Sequence, residues 1–283
     1  MTEAVDITAL GVPVRLEPVG PYADEVRAAL ARAWSRCVGL PLLPWAAVRD
    51  PLVIRAELLD EGADERDDTV HARLTRSGES ALAGEVSHVG RHRLDSLLTA
   101  VTHEVTVRAI DANRGCLLMF HAAVLADGAG RAIAFIARSG TGKTTLTAEL
   151  GQQWHYLSDE TAAFMDDGTV VPYPKPLSMS RPAVGLKLET PADDLGLLGV
   201  APARLVGLVL LDRRASGPAR LVDVPAPQAL VALAAESSGL VDLPGPLRRL
   251  AALWAALPVT GRLEYAEARD AVRLVRDVAS LAT

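Results

Sequence analysis

The residues best suited to chemistry lie in a short run of small and basic side chains that follows an apolar segment. Residues 132–137 are apolar and have the length of a buried strand, and Ser-Gly-Thr-Gly-Lys-Thr-Thr occupies positions 139–145. Small residues let the backbone N–H groups of such a turn converge on phosphate oxygens, and the N-terminus of the helix expected next adds partial positive charge. The pattern G-x-x-x-x-G-K-[ST] is typical of phosphate-binding loops, although Ala137 stands at its first position. The sequence therefore predicts a site for a nucleoside triphosphate.

The side chains of this loop have distinct expected roles. Lys143 would reach the β- and γ-phosphates, and the hydroxyl of Thr144 would take one coordination place on Mg²⁺. The other residues that we expect to contact the nucleotide belong to the same run: Arg138, Ser139, Gly140, Thr141, Gly142 and Thr145. The implied cofactors are ATP and Mg²⁺.

Two adjacent carboxylates, Asp159 and Glu160, directly follow a short β-like run. Neighbouring acids at the end of a strand, soon after a phosphate loop, suit coordination of Mg²⁺ and activation of a hydroxyl nucleophile. Without the loop, a charged turn before the next strand would be the better interpretation. With the loop, we expect one acid to serve the metal and the other to accept a proton.

Two further residues have two interpretations each. His121 lies within the apolar run 116–125, where a lone histidine is more often a core residue than a functional one. Lys175 lies in a proline-rich segment, residues 172–178, which is extended and unsuited to a central strand. A stiff arm of this kind would hold Lys175 near the nucleotide, but a solvated lysine in a proline-rich connection explains the pattern equally well.

Composition excludes several classes of protein. Of 283 residues, 49% are hydrophobic and 23% charged, which indicates a globular chain, and the net charge of −6 argues against a nucleic-acid-binding protein. No stretch approaches the roughly 18–20 apolar residues of a membrane helix, and the first residues lack the pattern of a signal peptide. Cys37 and Cys116 lack metal-like spacing and are expected to be buried free thiols. We therefore expect a cytoplasmic protein without nucleic-acid or membrane partners.

The remaining sequence predicts two domains that would position these residues. An N-terminal α+β module is expected over 1–112, and an α/β nucleotide-binding domain over 113–283, because strands and helices alternate there. The glycine-rich turn at 127–130 predicts a hairpin leading into the strand before the loop, and the acidic run 60–68 predicts a solvated connection. Strands are expected at 11–19, 52–59, 69–75, 81–89, 116–125, 132–137, 161–165, 204–211, 220–224 and 261–265, and helices at 23–37, 92–112, 146–150, 229–235, 247–257 and 266–281.

Taken together, residues 116–181 resemble the HPr kinase/phosphorylase family, whose fold is related to the ATP-dependent phosphoenolpyruvate carboxykinases. The matching pieces are His-Ala-Ala-Val at 121–124, the loop at 137–144 and Leu-Ser-Asp-Glu at 157–160. The resemblance implies that His121 lies near the γ-phosphate, that Asp159 helps to hold Mg²⁺, and that Glu160 acts as base toward a serine hydroxyl. The implied fold is an HPr-kinase-like P-loop nucleotide-binding domain with a smaller N-terminal α+β module.

The proline-rich segment is similar to one found in the smaller HPr-kinase-like proteins of peptide-modifying gene clusters. The chain has no counterpart of the basic, glycine-containing loop that HPr kinases use in their phosphorylase reaction. The resemblance therefore implies a kinase for a serine on a peptide or small protein, such as a ribosomally made lasso-peptide precursor, with a pathway enzyme as a possible partner. A kinase of a small-molecule hydroxyl and a non-catalytic ATP-binding partner in a biosynthetic complex stay open, as does the oligomeric state.

Overall fold

The structure, a computed structural model, describes residues 3–60, 73–76, 85–138, 140–181 and 186–281. The chain is mixed α/β and divides into two units, Met1–Ala112 with Lys175–Asp194, and Asn113–Pro174 with Leu195–Thr283. The boundary after Ala112 coincides with the predicted one. The segment Lys175–Asp194, which the sequence interpretation places in the second domain, belongs instead to the first unit.

Both units contain strands and helices, and in each unit some strands follow one another directly along the chain. In chain order they are β1 (Val5–Ala9), β2 (Val12–Val19), α1 (Ala23–Ala33), β3 (Leu52–Leu58), β4 (Arg73–Arg76), β5 (Glu85–Arg91), α2 (Leu94–Ala112), β6 (Leu118–Ala126), β7 (Arg131–Ile136), α3 (Lys143–Leu150), β8 (His155–Ser158), β9 (Thr161–Phe164), β10 (Val170–Val171), β11 (Leu177–Arg181), β12 (Leu186–Thr190), β13 (Arg204–Arg213), β14 (Arg220–Val222), α4 (Ala226–Ala235), β15 (Ser237–Ser238), α5 (Pro246–Ala256), β16 (Val259–Tyr265) and α6 (Ala268–Leu281).

The first unit is built on a mixed sheet with the strand order β1-β2-β3-β5-β4. Side chains along β2 alternate between buried and more exposed, which is the pattern of a strand with one face on a core. Helix α2 contributes four buried apolar residues spaced four apart, Leu97, Val101, Val105 and Ala109. This spacing forms a single apolar stripe along the helix, so its burial stabilises the unit. The strands β11 and β12 pair with each other as an antiparallel hairpin within the same unit.

The second unit contains a large sheet whose central path is β10-β9-β6-β7-β13-β16-β14, with β8 and β15 also paired to β6. Strands β6 and β7 form the predicted antiparallel hairpin. The turn is held by Asp127, whose Oδ1 accepts hydrogen bonds from the backbone N–H groups of Ala129 and Arg131 at 2.9 and 3.0 Å. The next pairings in the path, β7 with β13 and β13 with β16, are parallel. The ends of these three strands therefore meet at one edge of the sheet.

Both faces of this sheet are covered by helices. Alternate residues of β6 and β7, such as Val124 and Ile136, pack in the cluster that includes Leu233 of α4 and Leu250 of α5. The residues between them pack in a second cluster with α3 and α6, represented by Leu146, Leu150 and Val272. Because both faces are buried, the strands read as continuous apolar runs. The helix–sheet–helix layering is the α/β arrangement expected for this part of the chain.

Most predicted elements are present, with ends shifted by a few residues. The proline-rich segment has no strand before Leu177, in agreement with the prediction. Parts of the expected strands 69–75 and 81–89, and the acidic connection 60–68 after its first residue, lie outside the described residues. Cys37 is buried as predicted, but Cys116 is exposed, so the expectation for Cys116 is wrong. None of the helices that the structure describes has the length and apolar character needed to cross a bilayer.

The close packing of β13 between its two neighbours predicts that a larger residue at Gly207 destabilises the protein. A Cβ atom placed on Gly207 would lie 3.0 Å from Cβ of Val259 and 3.2 Å from Cγ1 of Ile133. We expect Gly207→Ala to lower the free energy of unfolding by about 1–3 kcal/mol, because an added methyl group in a packed core forces its neighbours to shift. Urea unfolding measures this change. Gly199→Ala is the matched control, since a Cβ there meets nothing within 4 Å; equal stabilities of the two variants would contradict the packing.

Candidate functional site

The loop that follows β7, residues 137–144, has the backbone of a glycine-dependent turn. Gly140 and Gly142 have φ angles of +83° and +100°, a left-handed conformation that side-chain-bearing residues rarely adopt. Gly142 is the residue immediately before α3, so the free N–H groups of the first helical turn open onto this loop. Thr141 and Thr145 flank the same turn, and Ser139 lies outside the described residues. The loop therefore presents backbone donors and a helix N-terminus at one place.

The ammonium group of Lys143 is turned into this loop. Its side chain is buried, and Nζ donates hydrogen bonds to the backbone carbonyls of Ala137 and Arg138, the second at 3.2 Å. A buried ammonium needs partners for its donors, and these carbonyls accept two of its three N–H groups. The loop thus curves around one positive charge at the end of β7.

Tyr265, at the end of β16, supports the loop from the other side. Its hydroxyl donates a hydrogen bond to the backbone carbonyl of Thr141 at 3.1 Å. The hydroxyl oxygen of Tyr265 also lies 3.0 Å from the position that a Cβ atom on Gly142 would take, so the loop needs glycine at this position. Burial raises the pKa of Tyr265, and the charge of Arg213 opposes that shift. The phenol is therefore protonated and able to donate at neutral pH.

Asp159 and Thr144, the two predicted metal ligands, are hydrogen-bonded to each other. The Thr144 hydroxyl donates to Oδ2 of Asp159 at 3.3 Å, and the Tyr156 hydroxyl donates to Oδ1 at 3.4 Å. Asp159 is buried, and it reaches this place because β8 pairs with β6, the hairpin partner of β7. Among the described residues there is no cluster of three or more His, Cys, Asp or Glu side chains that could hold a metal. The pair supplies two oxygen ligands, which fits a cation that takes its other ligands from water and phosphate.

His121 and Glu160 are brought together by the pairing of β6 with β9. The backbone N–H of Ala122 donates to the carbonyl of Glu160 at 3.0 Å. Burial lowers the pKa of His121, and the nearby charge of Lys143 lowers it further, while Glu160 and Glu236 act in the opposite direction. The imidazole is therefore neutral at neutral pH. A neutral imidazole offers one N–H donor and one acceptor.

Glu236 completes this group, and the sequence analysis missed it. The backbone N–H of His121 donates to the carbonyl of Glu236 at 2.7 Å, because the short strand β15 pairs with β6 just beyond. The Glu236 carboxylate lies 3.7 Å from the guanidinium of Arg138, whose side chain is 86% exposed. An exposed pair at this distance contributes little to stability. The sequence carries no signal that separates Glu236 from an ordinary acid after a helix.

A groove of about 1040 Å³, which we call the large groove, opens beside the loop. Its lining includes Arg138, Thr141, Arg213, Arg214, Glu236 and Arg262. It runs from the neighbourhood of His121 across the ends of β13 and β16. Its volume lies at the upper end of the range of small-molecule and cofactor sites.

Lys175 has surroundings that neither sequence interpretation anticipated. It is fully buried in the first unit, and its Nζ donates to the carbonyl of Pro176 at 3.0 Å. Its charge lowers the pKa of the Cys37 thiol, but the larger effect of burial raises that pKa above the ordinary value. The interpretation of Lys175 as a solvated lysine is therefore wrong. Its contact with a nucleotide stays a prediction.

No model of a known protein family matches the chain, and no curated protein matches it. The chemistry of the site is accordingly inferred from its own residues. A buried ammonium, a hydroxyl–carboxylate pair, a neutral imidazole and two further acids lie within one edge of the sheet. These groups can neutralise an anion, share a divalent cation and accept a proton.

The lowered pKa of His121 predicts how stability depends on pH. The unfolded chain takes up a proton at His121 near pH 6.5, whereas the folded protein does so only at lower pH. The unfolding free energy should therefore fall as pH decreases through about 6.5, by at most about 1.4 kcal/mol per pH unit from this group. In the variant His121→Gln, the unfolding free energy measured with urea should depend less on pH between pH 7 and 5 than it does in the parent. Parallel profiles for parent and variant would show that the folded imidazole takes up its proton as readily as the unfolded one.

Proposed function

We propose that this protein is an ATP-dependent, HPr-kinase-like serine kinase. It would transfer the γ-phosphoryl group to a serine hydroxyl on a peptide or small protein, such as a ribosomally made natural-product precursor. The observation that carries the proposal is the convergence of the buried Lys143 ammonium, the Thr144–Asp159 pair and His121 around a left-handed glycine loop. Each of these groups answers one requirement of phosphoryl transfer.

The residues present fit ATP and Mg²⁺. The left-handed Gly140 and Gly142 leave the loop backbone open to phosphate oxygens, and Lys143 supplies a positive charge inside it. Thr144 and Asp159 together offer two oxygens, the number that Mg²⁺ commonly takes from a protein when phosphates and water complete its shell. When bound, Mg²⁺ and ATP supply the transferable phosphoryl group with its charge partly neutralised.

The chain's own residues divide the remaining work. Lys143 and the N–H groups at the start of α3 hold negative charge in place, and Tyr265 fixes the loop that carries them. The imidazole of His121, which lies beside Glu160 and Glu236, would face the transferring phosphoryl group. The carboxylate of Glu160 accepts the proton from the hydroxyl oxygen of the acceptor. Most of the rate gain comes from positioning and charge stabilisation rather than from covalent chemistry.

The large groove favours a peptide or protein acceptor over a small molecule. It adjoins Glu236, which contacts His121 through its backbone, and it extends well beyond the reach of a free serine or a single sugar. Its charged lining can also hold residues that flank the reacting serine. We therefore take the large groove as the acceptor site.

Removal of the loop ammonium provides the direct test of the proposal. Lys143→Ala should reduce acceptor phosphorylation by at least about 10²–10³-fold, because a preorganised charge at the transferring group is lost. Incubation with ATP, Mg²⁺ and candidate peptides, followed by mass spectrometry, measures the gain of a phosphoryl group. Circular dichroism melting checks that the variant is folded. Turnover near that of the parent would reject the assignment of Lys143.

Replacement of Asp159 and replacement of Glu160 should impair different steps. Asp159→Asn removes charge from the oxygen that Thr144 contacts, so it should weaken Mg²⁺-dependent ATP binding as well as turnover. Glu160→Gln should keep ATP binding and lose phosphorylation, because the hydroxyl proton has no acceptor. Calorimetric titration with ATP and Mg²⁺, run beside the turnover assay, separates the two effects. The reverse pattern would exchange the roles, and two active variants would leave the pair as a charged turn.

A further inference from the structure

A second, smaller cavity lies next to the loop, on the face of the sheet that α3 and α6 cover. We call this the α3–α6 cavity; it has a volume of about 210 Å³. Its lining includes Thr145, Glu149, Arg213, Tyr265, Glu267 and Arg269. Gly142 also lines it, so the cavity opens directly at the N-terminus of α3. The large groove shares Arg213 and Glu267 with this cavity, and it is also lined by Ala232, Ala235 and Glu236 from the end of α4 and the turn after it.

The strand order gives the loop two unlike sides. His121 lies on β6, and Asp159 and Glu160 lie between β8 and β9, which both pair with β6. These groups mark the side at which phosphoryl transfer would occur. On the other side of β7 come β13 and β16, whose ends carry Arg213 and Tyr265. A donor whose terminal phosphate faces β6 has room for its remaining part toward β13 and β16, where the two cavities meet and share Arg213 and Glu267.

The two cavities touch different parts of the loop. The large groove is lined by Ala137, Arg138, Gly140 and Thr141, which precede Lys143, and it continues to Glu236 beside His121. The α3–α6 cavity is lined by Gly142 and by Thr145 in the first turn of α3. In a phosphate loop the lysine reaches the β- and γ-phosphates, and the backbone cradles the α- and β-phosphates. The cavity that begins past Lys143 is therefore nearer to the α-phosphate and to the sugar attached to it.

We propose that the α3–α6 cavity receives the nucleoside of the donor nucleotide. The inference rests on the proposed function, and it leaves the large groove to the acceptor. The carboxylates of Glu149 and Glu267 can accept hydrogen bonds from ribose hydroxyls, as acidic residues do in other nucleotide sites. Arg213 and Arg269 supply donors for the α-phosphate or for acceptor atoms of the base. The cavity has about a fifth of the volume of the large groove, which leaves the larger space to the acceptor.

The experiment compares two ligands that share phosphates and differ in the nucleoside. Calorimetry on the full chain measures the Kd of ATP and of inorganic tripolyphosphate, each with Mg²⁺. Ala268→Trp places an indole in the cavity, and Arg269→Glu reverses a charge at an exposed position on its rim. Each variant should weaken ATP binding by about tenfold or more and leave tripolyphosphate binding within about twofold. Arg273→Glu, one turn further along α6 and exposed, is the matched control and should bind both ligands like the parent.

The outcomes separate this inference from the proposed function. If the parent binds neither ligand, the loop is not a phosphate site, and both proposals are overturned. If the parent binds both ligands and the two cavity variants still bind ATP like the parent, only the nucleoside assignment is overturned. If the cavity variants lose the same affinity for ATP and for tripolyphosphate, the substitutions act on phosphate binding by the loop, and the nucleoside assignment is again overturned. Ala235→Trp places an indole in the large groove. If this variant binds ATP more weakly than the parent and Ala268→Trp binds ATP like the parent, the nucleoside lies in the large groove and the inference is overturned. If Ala268→Trp does not fold, Arg269→Glu decides the result.

Discussion

The buried ammonium of Lys143 is the interaction on which the rest of the site depends. A charge removed from water is costly unless its donors find partners, and here the carbonyls of Ala137 and Arg138 accept two of the three N–H groups. Those carbonyls can point inward only because the chain turns through left-handed positions at Gly140 and Gly142. The loop is therefore curved around the charge of Lys143. The same charge helps to keep His121 neutral, so one buried group sets both the shape of the loop and the protonation of its neighbour.

Strand β6 places the other functional groups around that charge. Its later residues pair with β7 and β8, and its earlier residues pair with β9 and β15. Two separate chain segments, the connection from β8 to β9 and the residue before β15, therefore lie beside the loop, and they bring Asp159, Glu160 and Glu236 with them. Because β6 is almost wholly buried between two helical layers, a shift in any one pairing would expose apolar side chains. The precision of the site thus comes from the register of the sheet rather than from the loops alone.

The parts of the site that the sequence predicts are the local ones. The strand, loop and helix at 131–150 are contiguous, and their pattern is visible because each residue's neighbours in space are also its neighbours in the chain. Tyr265 could not be found in this way, since it meets Thr141 across 124 positions through the parallel pairing of β13 and β16. Glu236 depends on the two-residue strand β15, which is too short to have a period. The burial of Lys175 has no signal in the sequence, because proline spacing indicates an extended backbone but not which core the side chain enters.

The ion pairs of the second unit determine which cations are available to an anionic ligand. Glu264 accepts hydrogen bonds from Arg214 and Arg220, each at 2.7 Å, and these contacts lower its pKa, so both arginines are held by the protein itself. Arg214 also contacts Asp212 at 2.9 Å. In the part of the chain that the structure describes, Arg213 takes part in no salt bridge, although it follows Asp212 directly and lies beside Gly142 and Tyr265. Its guanidinium can therefore turn toward a phosphate without breaking a structural pair. Under the proposed function, Lys143 inside the loop and Arg213 at its rim would place positive charge along the donor, from its terminal phosphate toward its nucleoside.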